Sequence, residues 1–373
     1  MLIGVPKEIK IHENRVGLTP ASVRELVVHG HQVMVQKNAA QAIGLDDSRY
    51  QAAGAEIVET PEEIYFRAEL IVKVKEPQST ELPLLRPEQV LFTYLHLAPD
   101  PVQAQGLLDS ACIAIAYETV TDQYGGLPLL APMSEVAGRM AIQAGAHALE
   151  MDQGGRGMLL GGVSGVPSAK VVVIGGGVVG TNAARVAMGM EAHVTVLDKS
   201  IHRLQQLDLQ YGSRINTVFS TVDAIEEHVS EADLVIGAVL VPGASTPRLV
   251  NRELVKTMHR GSVLVDVAID QGGCFATSRP TTLADPIFIL DDVVHYCVSN
   301  MPGAVARTST FALNNVTLPF VLLIAEKGYR KALIDDPHLR DGLNVFKGHL
   351  THQAVAHDSG KPYVNAMTLL KNP

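Results

Sequence analysis

Gly175, Gly177 and Gly180 form the most chemically specific spacing in the chain. They follow an apolar run at residues 171–175 and precede a run of strong helix formers at 182–190, and Asp198 closes the next apolar run, VTVL. In a chain with 32 glycines the spacing alone is weak evidence, and its strand, turn and helix context carries the argument. The pattern is that of a dinucleotide fingerprint. Gly175 makes a tight turn, Gly177 lets the main chain approach a pyrophosphate, and Gly180 allows close packing of helix on strand, so that the helix N-terminus faces the anion. Asp198 is placed to accept hydrogen bonds from both adenosine ribose hydroxyls, and its charge repels a 2′-phosphate. The expected cofactor is NAD, with Lys199 and Arg203 leaving a small opening for NADP. The competing reading is a flexible turn within some other α/β sheet.

A fingerprint of this kind needs a parallel sheet to position it. Short β-branched runs at 2–5, 33–36, 56–58, 70–74, 90–95 and 112–117 alternate with helical stretches, which predicts a first, mostly parallel sheet. Its first helix is marked by Thr19 as cap, Pro20 in the first position, Val23, Leu26 and Val27 on one face, and Gly30 at the end. A long helix is expected over about 134–150, then a glycine-rich loop, GGRGMLLGGVSGVPSAK. From Lys170 onward, strands expected at 171–175, 194–198, 217–219, 234–238, 263–267 and 287–290 form a second doubly wound sheet. A further long helix is expected over 304–325, and the last fifty or so residues are too few for a third core and should pack back onto the first.

Composition agrees with this architecture. A chain of 373 residues suits two domains, and 47% hydrophobic with 18% charged residues supplies enough apolar surface to cover buried sheets. The formal charge of −9, with no dense Lys/Arg run, gives no support for a nucleic-acid or anionic-membrane surface. Cys112, Cys274 and Cys297 lie far apart without metal-ligand spacing and read as buried free thiols. The charged N-terminus is not a signal peptide, and no apolar run approaches the ~18 residues that span a bilayer. The expectation is a cytoplasmic protein acting on small molecules, with no metal, nucleic acid or membrane.

The segments GVPKEIKIHENRVGLTP, KVKEP, YLHLAPD, MSEVAGR, GGGVVG and SNMPGAVARTST, in this order from end to end, resemble the alanine dehydrogenase family. Its nearest relative is the NAD-binding subunit of proton-translocating transhydrogenase, and saccharopine-forming lysine dehydrogenases are more distant. The resemblance implies a Rossmann NAD-binding domain (129–306) inserted into a discontinuous substrate domain (1–128 and 307–373), linked by long helices. It implies that Arg15 and Lys75 hold a keto acid and that His96 works with Asp270 in catalysis. It places further cofactor contacts on Ser134, Val178, Asp198, Arg203, Ser220, Leu240, Val267, Asp270, Val298, Asn300 and Met301. The implied reaction interconverts L-alanine with pyruvate and ammonia in a hexamer.

These residue types suit that chemistry. Arg15 offers a planar fork for a carboxylate, Lys75 a compact charge, and His96 an imidazole whose ordinary pKa of ~6.5 suits proton transfer. Asp270 follows a strand and is placed to orient or charge-stabilise its partner, and Asp266 competes with it for that role. Because these residues fall in different domains, reaction is expected to require the domains to meet. Two other readings are a transhydrogenase subunit exchanging hydride with an NADP-binding partner and a non-catalytic NAD-binding protein.

Overall fold

The computed structural model describes residues 1–239 and 246–371. The chain forms two compact α/β units, one of residues Met1–Met133 and Ala306–Pro373, the other of Ser134–Val305. The chain leaves the first unit within the helix Ala131–Ala148 and re-enters it at the helix Ala306–Lys327.

In the first unit the strands are β1 (Leu2–Val5), β2 (Gln32–Gln36), β3 (Glu56–Val58), β4 (Leu70–Val72), β5 (Val90–Thr93) and β6 (Ile113–Ala116). They pair in parallel, and most of their apolar residues are buried, as in sheets covered on both faces. Helix Pro20–Val28 starts where Thr19 Oγ1 accepts the Ser22 N–H and ends just before Gly30, whose φ of +83° lets the chain reverse. The second unit contributes β7 (Lys170–Ile174), β8 (His193–Asp198), β9 (Asn216–Phe219), β10 (Leu234–Gly237), β11 (Val263–Asp266), β12 (Ile287–Leu290) and β13 (Val293–Tyr296), in the order β12-β13-β11-β10-β7-β8-β9. Only β12 is antiparallel to its neighbour. The order reverses direction at β7, the switch point outside which doubly wound sheets bind ligands. Back in the first unit, β14 (Leu343–Phe346) and β15 (His349–Leu350) complete the eight-stranded order β15-β14-β6-β5-β4-β1-β2-β3.

Three strands were not expected. β13 follows β12 through Asp291 and Asp292, with φ of 52° and 61°, and β15 follows β14 through Lys347 and Gly348, at 47° and 84°. Two positive φ values in a two-residue loop are the turn that matches the twist of a hairpin, built here without the usual Asn-Gly or Asp-Gly signal. β4 also ends earlier than expected, at Val72, because the Val74 N–H turns to the Glu8 carboxylate.

One expectation about length is corrected. Met301–Lys327, a short 3-10 turn running into the helix Ala306–Lys327, is long and apolar enough to cross a membrane by length and composition. The apolar run was missed because Ser309, Thr310, Asn314 and Thr317 interrupt it, and in the structure these polar residues are buried. Asn314 Oδ1 accepts the Thr19 N–H at 2.8 Å and the Ser22 hydroxyl at 2.9 Å, so this face is fitted to the protein interior.

Candidate functional site

In the second unit the glycine loop joins β7 to the helix Val178–Gly189. Gly175 has φ +102°, and a Cβ there would lie 2.8 Å from the Ala238 carbonyl oxygen. A Cβ on Gly180 would lie 1.8 Å from the Gly175 carbonyl oxygen, so only glycine lets the helix sit this close to the strand. Among the described residues nothing lies within 4 Å of a Cβ built on Gly177, which caps the helix without a side-chain hydrogen bond. The amides of the first helical turn are thus open to an anion, and Val178 beside them is half exposed.

The residue between the glycines, Gly176, is held from both sides. Asp198 Oδ2 accepts its N–H at 2.7 Å, and Arg203 Nε donates to its carbonyl at 2.6 Å. Arg203 also donates to Thr181 Oγ1 at 2.5 Å, and Thr181 donates to the Gly177 carbonyl at 2.7 Å. Asp198 and Arg203, expected only as cofactor contacts, therefore also shape the loop. Thr181 had no signal in the spacing.

Ser220, Val267, Val298, Asn300 and Met301 lie beyond the C-terminal ends of neighbouring strands. Ser220, buried, follows β9 and donates its N–H to the Asp198 carbonyl. Val267 follows β11 and donates its N–H to the Gly237 carbonyl. Val298 and Met301 are buried after β13, with Asn300 between them at φ 61°. Ser134 lies in the first turn of the helix Ala131–Ala148. Leu240 lies outside the described residues.

The two aspartates after β11 divide clearly. Asp266 is fully buried and accepts the Ser278 hydroxyl at 2.6 Å and the amides of Cys274 and Phe275 at 2.9 and 3.3 Å, which ties down the following loop. Burial pushes its carboxyl up from the ordinary range, against those hydrogen bonds. Asp270 is exposed in the 3-10 turn Ile269–Gln271, its carboxylate without a hydrogen-bond partner among the described residues.

In the first unit the candidates cluster at the C-terminal ends of four adjacent strands, β1, β4, β5 and β6. Arg15 is 2% exposed and clasped by Glu13, with Nε to Oε1 at 2.7 Å and Nη2 to Oε2 at 2.5 Å, while Nη1 meets Met133 Sδ at 3.2 Å. Lys75 follows β4. Its carbonyl accepts the Thr93 hydroxyl from β5 at 2.9 Å, and its N–H donates to Glu8 Oε1 at 3.3 Å. Its ammonium has no counter-ion bonded to it among the described residues, and burial together with the Arg15 charge holds its pKa below the ordinary lysine value. Lys73, two residues earlier, is the buried lysine whose charge is satisfied, by Glu8 at 3.2 Å and Glu81 at 2.8 Å.

His96 follows β5 with its side chain 47% exposed and its φ at 48°. The imidazole stacks on Tyr94 at 5.8 Å, and the Tyr94 hydroxyl donates to the Leu129 carbonyl at 2.6 Å. Glu118 follows β6 and accepts the His96 N–H at 2.6 Å. Glu8, Glu13, Tyr94, Met133 and Glu118 were not singled out in the sequence, and nothing local marks them, since each acquires its role only through a partner on another strand.

The chain matches two family models, "Alanine dehydrogenase/PNT, N-terminal domain" over residues 4–137 and "Alanine dehydrogenase/PNT, C-terminal domain" over 141–353. It is 61% identical over 370 residues to the alanine dehydrogenase of Halomonas elongata, covering 99% of this chain and 100% of that protein. The alanine dehydrogenase of Mycolicibacterium smegmatis is 53% identical over 370 residues, again 99% of this chain and 100% of that protein. A solved L-alanine dehydrogenase superposes with TM-score 0.94 at 50% identity, covering 96% of this chain and 99% of that one. A transhydrogenase from Sinorhizobium meliloti superposes with TM-score 0.83 at 22% identity, covering 94% of this chain and 100% of that one, which shows a shared fold.

Proposed function

The chain belongs to the alanine dehydrogenase/PNT family, and from that premise we infer that it catalyses the reversible NAD-dependent oxidative deamination of L-alanine to pyruvate and ammonia. The observation that carries the reading is the Lys75 ammonium, enclosed beside Arg15 and, among the described residues, without a bonded ion-pair partner at a strand edge shared with His96. An uncompensated cation in such surroundings is costly unless an anion joins it, and the carboxylate common to alanine and pyruvate is such an anion. A protein that only bound or exchanged nucleotides would have no use for it.

We assign the substrate chemistry to residues 1–128 and 307–373, and the nucleotide to 129–306. The open Gly177, the uncapped helix start and Asp198 suit a pyrophosphate and a ribose, and Ser220, Val267, Val298, Asn300 and Met301 lie along the same sheet edge. Held there, NAD would supply the hydride acceptor for the substrate Cα. Lys75 and Arg15 bind the carboxylate and fix Cα, so the reacting carbon is presented in one orientation. Water adds to the imine carbon left by hydride loss and ammonia departs, and His96 Nδ1 or Nε2 moves the proton to and from that water-derived oxygen as the amino group is exchanged for a carbonyl. Asp270 is assigned as its acidic counterpart in proton handling, while Asp266 keeps its loop in place.

The test is direct. NADH absorbance should fall with pyruvate plus ammonium and rise with alanine plus NAD, and silence in both directions removes the reading. A cytoplasmic homo-oligomer, a hexamer on grounds of resemblance, extends the proposal. Sedimentation of the purified protein as a monomer would remove that part.

A further inference from the structure

We propose that Glu118, with Gln103, is a positioning device for His96, clamping the peptide plane between Leu95 and His96 so that the imidazole is delivered in one place. The amide group concerned is a single rigid unit, since its C=O belongs to Leu95 and its N–H to His96. Gln103 Nε2 donates to that C=O at 3.0 Å, and Glu118 Oε1 accepts that N–H at 2.6 Å. The plane is thus gripped at opposite ends by side chains from two different elements, the helix Pro101–Asp109 and the 3-10 turn Tyr117–Thr119. Gln103 is buried and the Glu118 side chain is 14% exposed, so water competes weakly for either bond.

The clamp has something to hold against. His96 has φ 48°, a left-handed conformation that costs a residue with a Cβ some energy and is held by its surroundings. Both Glu118 oxygens also accept the Leu95 N–H, each at 3.2 Å, so the carboxylate fixes two successive amides. Among the described residues these amides are its only hydrogen-bond donors, and the sole cationic group within 4.0 Å is His96 Nδ1. With the peptide plane fixed and φ set, the ring direction follows from the two side-chain torsions, and the stack on Tyr94 at 5.8 Å and 7° restrains those. An anionic acceptor makes a shorter and stronger bond to an N–H than a neutral one does, which explains a carboxylate at this position. Glu8 plays a looser version of the part at Lys75, accepting the Val74 and Lys75 amides at 2.7 and 3.3 Å.

This inference rests on His96 as the proton-transfer group of the reaction above, and the test separates the two. Glu118→Gln, Glu118→Ala, Gln103→Leu and His96→Ala are prepared in the full chain. Thermal melting establishes that each is folded, and kcat, the KM for pyruvate and the Kd for NADH are measured. The expected result is that Glu118→Gln lowers kcat by ~10- to 100-fold, the scale for a misplaced reacting group, with the pyruvate KM and NADH Kd held within about twofold. Glu118→Ala should fall further, Gln103→Leu should fall in the same sense, and Gln should recover part of the loss seen with Ala. In enzyme labelled with 15N-histidine, the His96 amide proton should move upfield in Glu118→Gln as its charged acceptor disappears. A folded Glu118→Gln enzyme with wild-type kcat and an unmoved His96 amide would overturn the clamp while leaving an inactive His96→Ala to uphold the role of His96. A His96→Ala enzyme with near-normal turnover would overturn that role, and the clamp with it. If Glu118→Ala fails to fold, Glu118→Gln and Gln103→Leu decide.

Discussion

The second unit builds its candidate site from main chain over one short stretch, 175–181, where Gly175 and Gly180 each satisfy a steric demand and Gly177 leaves open space before the helix. The first unit builds its site from side chains that arrive separately at the ends of β1, β4, β5 and β6, with Glu13, Glu8 and Glu118 bonded to the amides of Arg15, Lys75 and His96. The difference follows from what each must recognise. A pyrophosphate is large and multiply charged, so exposed amides and a helix terminus suffice for it. A three-carbon acid offers a carboxylate, a carbonyl and a methyl group, so each protein group must be held at a defined place.

The contrast predicts that the two sites fail separately. The largest effect belongs to the first unit: His96→Ala should lower turnover by at least ~100-fold, the usual contribution of a placed acid or base, with NADH affinity in calorimetry unchanged. NADH binding that fell in step with turnover would break the distinction.

Gly180→Ala is the counterpart in the second unit. Its methyl would meet the Gly175 carbonyl at 1.8 Å, and a main-chain atom cannot yield without moving the turn. Overpacking of ~1–3 kcal/mol corresponds to roughly 5- to 150-fold weaker NADH binding if it falls on the bound loop. Calorimetry giving wild-type NADH affinity would show that the close packing is not required.

A smaller effect, dependent on pH, sharpens the reading of Lys75. The substrate anion needs the charged ammonium, and in the free protein burial and Arg15 hold its pKa below the ordinary 10.5. Pyruvate affinity should therefore be full at low pH and decline as pH rises through that lowered value, sooner than for an exposed lysine. Lys75→Arg keeps its charge throughout and should flatten the decline in the pH dependence of KM, even where its absolute affinity is poorer.

Asp198→Ala should loosen the preference for NAD over NADP while also weakening NADH itself, because Gly176 loses the acceptor of its N–H. The ratio of kcat/KM for the two coenzymes checks the first part, and an unaltered NADH Kd would show that the loop does not depend on Asp198. The smallest effect is expected away from both sites. Thr60→Ala removes the cap that accepts the Glu63 N–H at 3.4 Å and should cost about 1 kcal/mol of stability in thermal melts, with kcat unchanged.

The sequence by itself determined the α/β class, the parallel strands whose buried faces read as continuous apolar runs, the glycine loop with Asp198, and the placing of Lys75, His96 and Asp270 just beyond strands. All of these are local, because a strand, a helix cap or a tight turn is specified by residues a few positions apart. The tertiary structure decided the rest. The hairpins ending in β13 and β15 were hidden because Asp291-Asp292 and Lys347-Gly348 take a backbone usually announced by other residues, and the paired strands confirm it. Whether Asp266 or Asp270 was the exposed carboxylate depended on Ser278 folding back onto Asp266. Lys73 and Lys75 lie on the same short run, yet Glu81 and Glu8 bind the charge of the first, while among the described residues the ammonium of the second has no counter-ion bonded to it. Glu118 and Gln103 met the His96 peptide only when β5, β6 and the intervening helix had packed. A charge or amide finds its partner through the fold, across separations that local spacing does not encode.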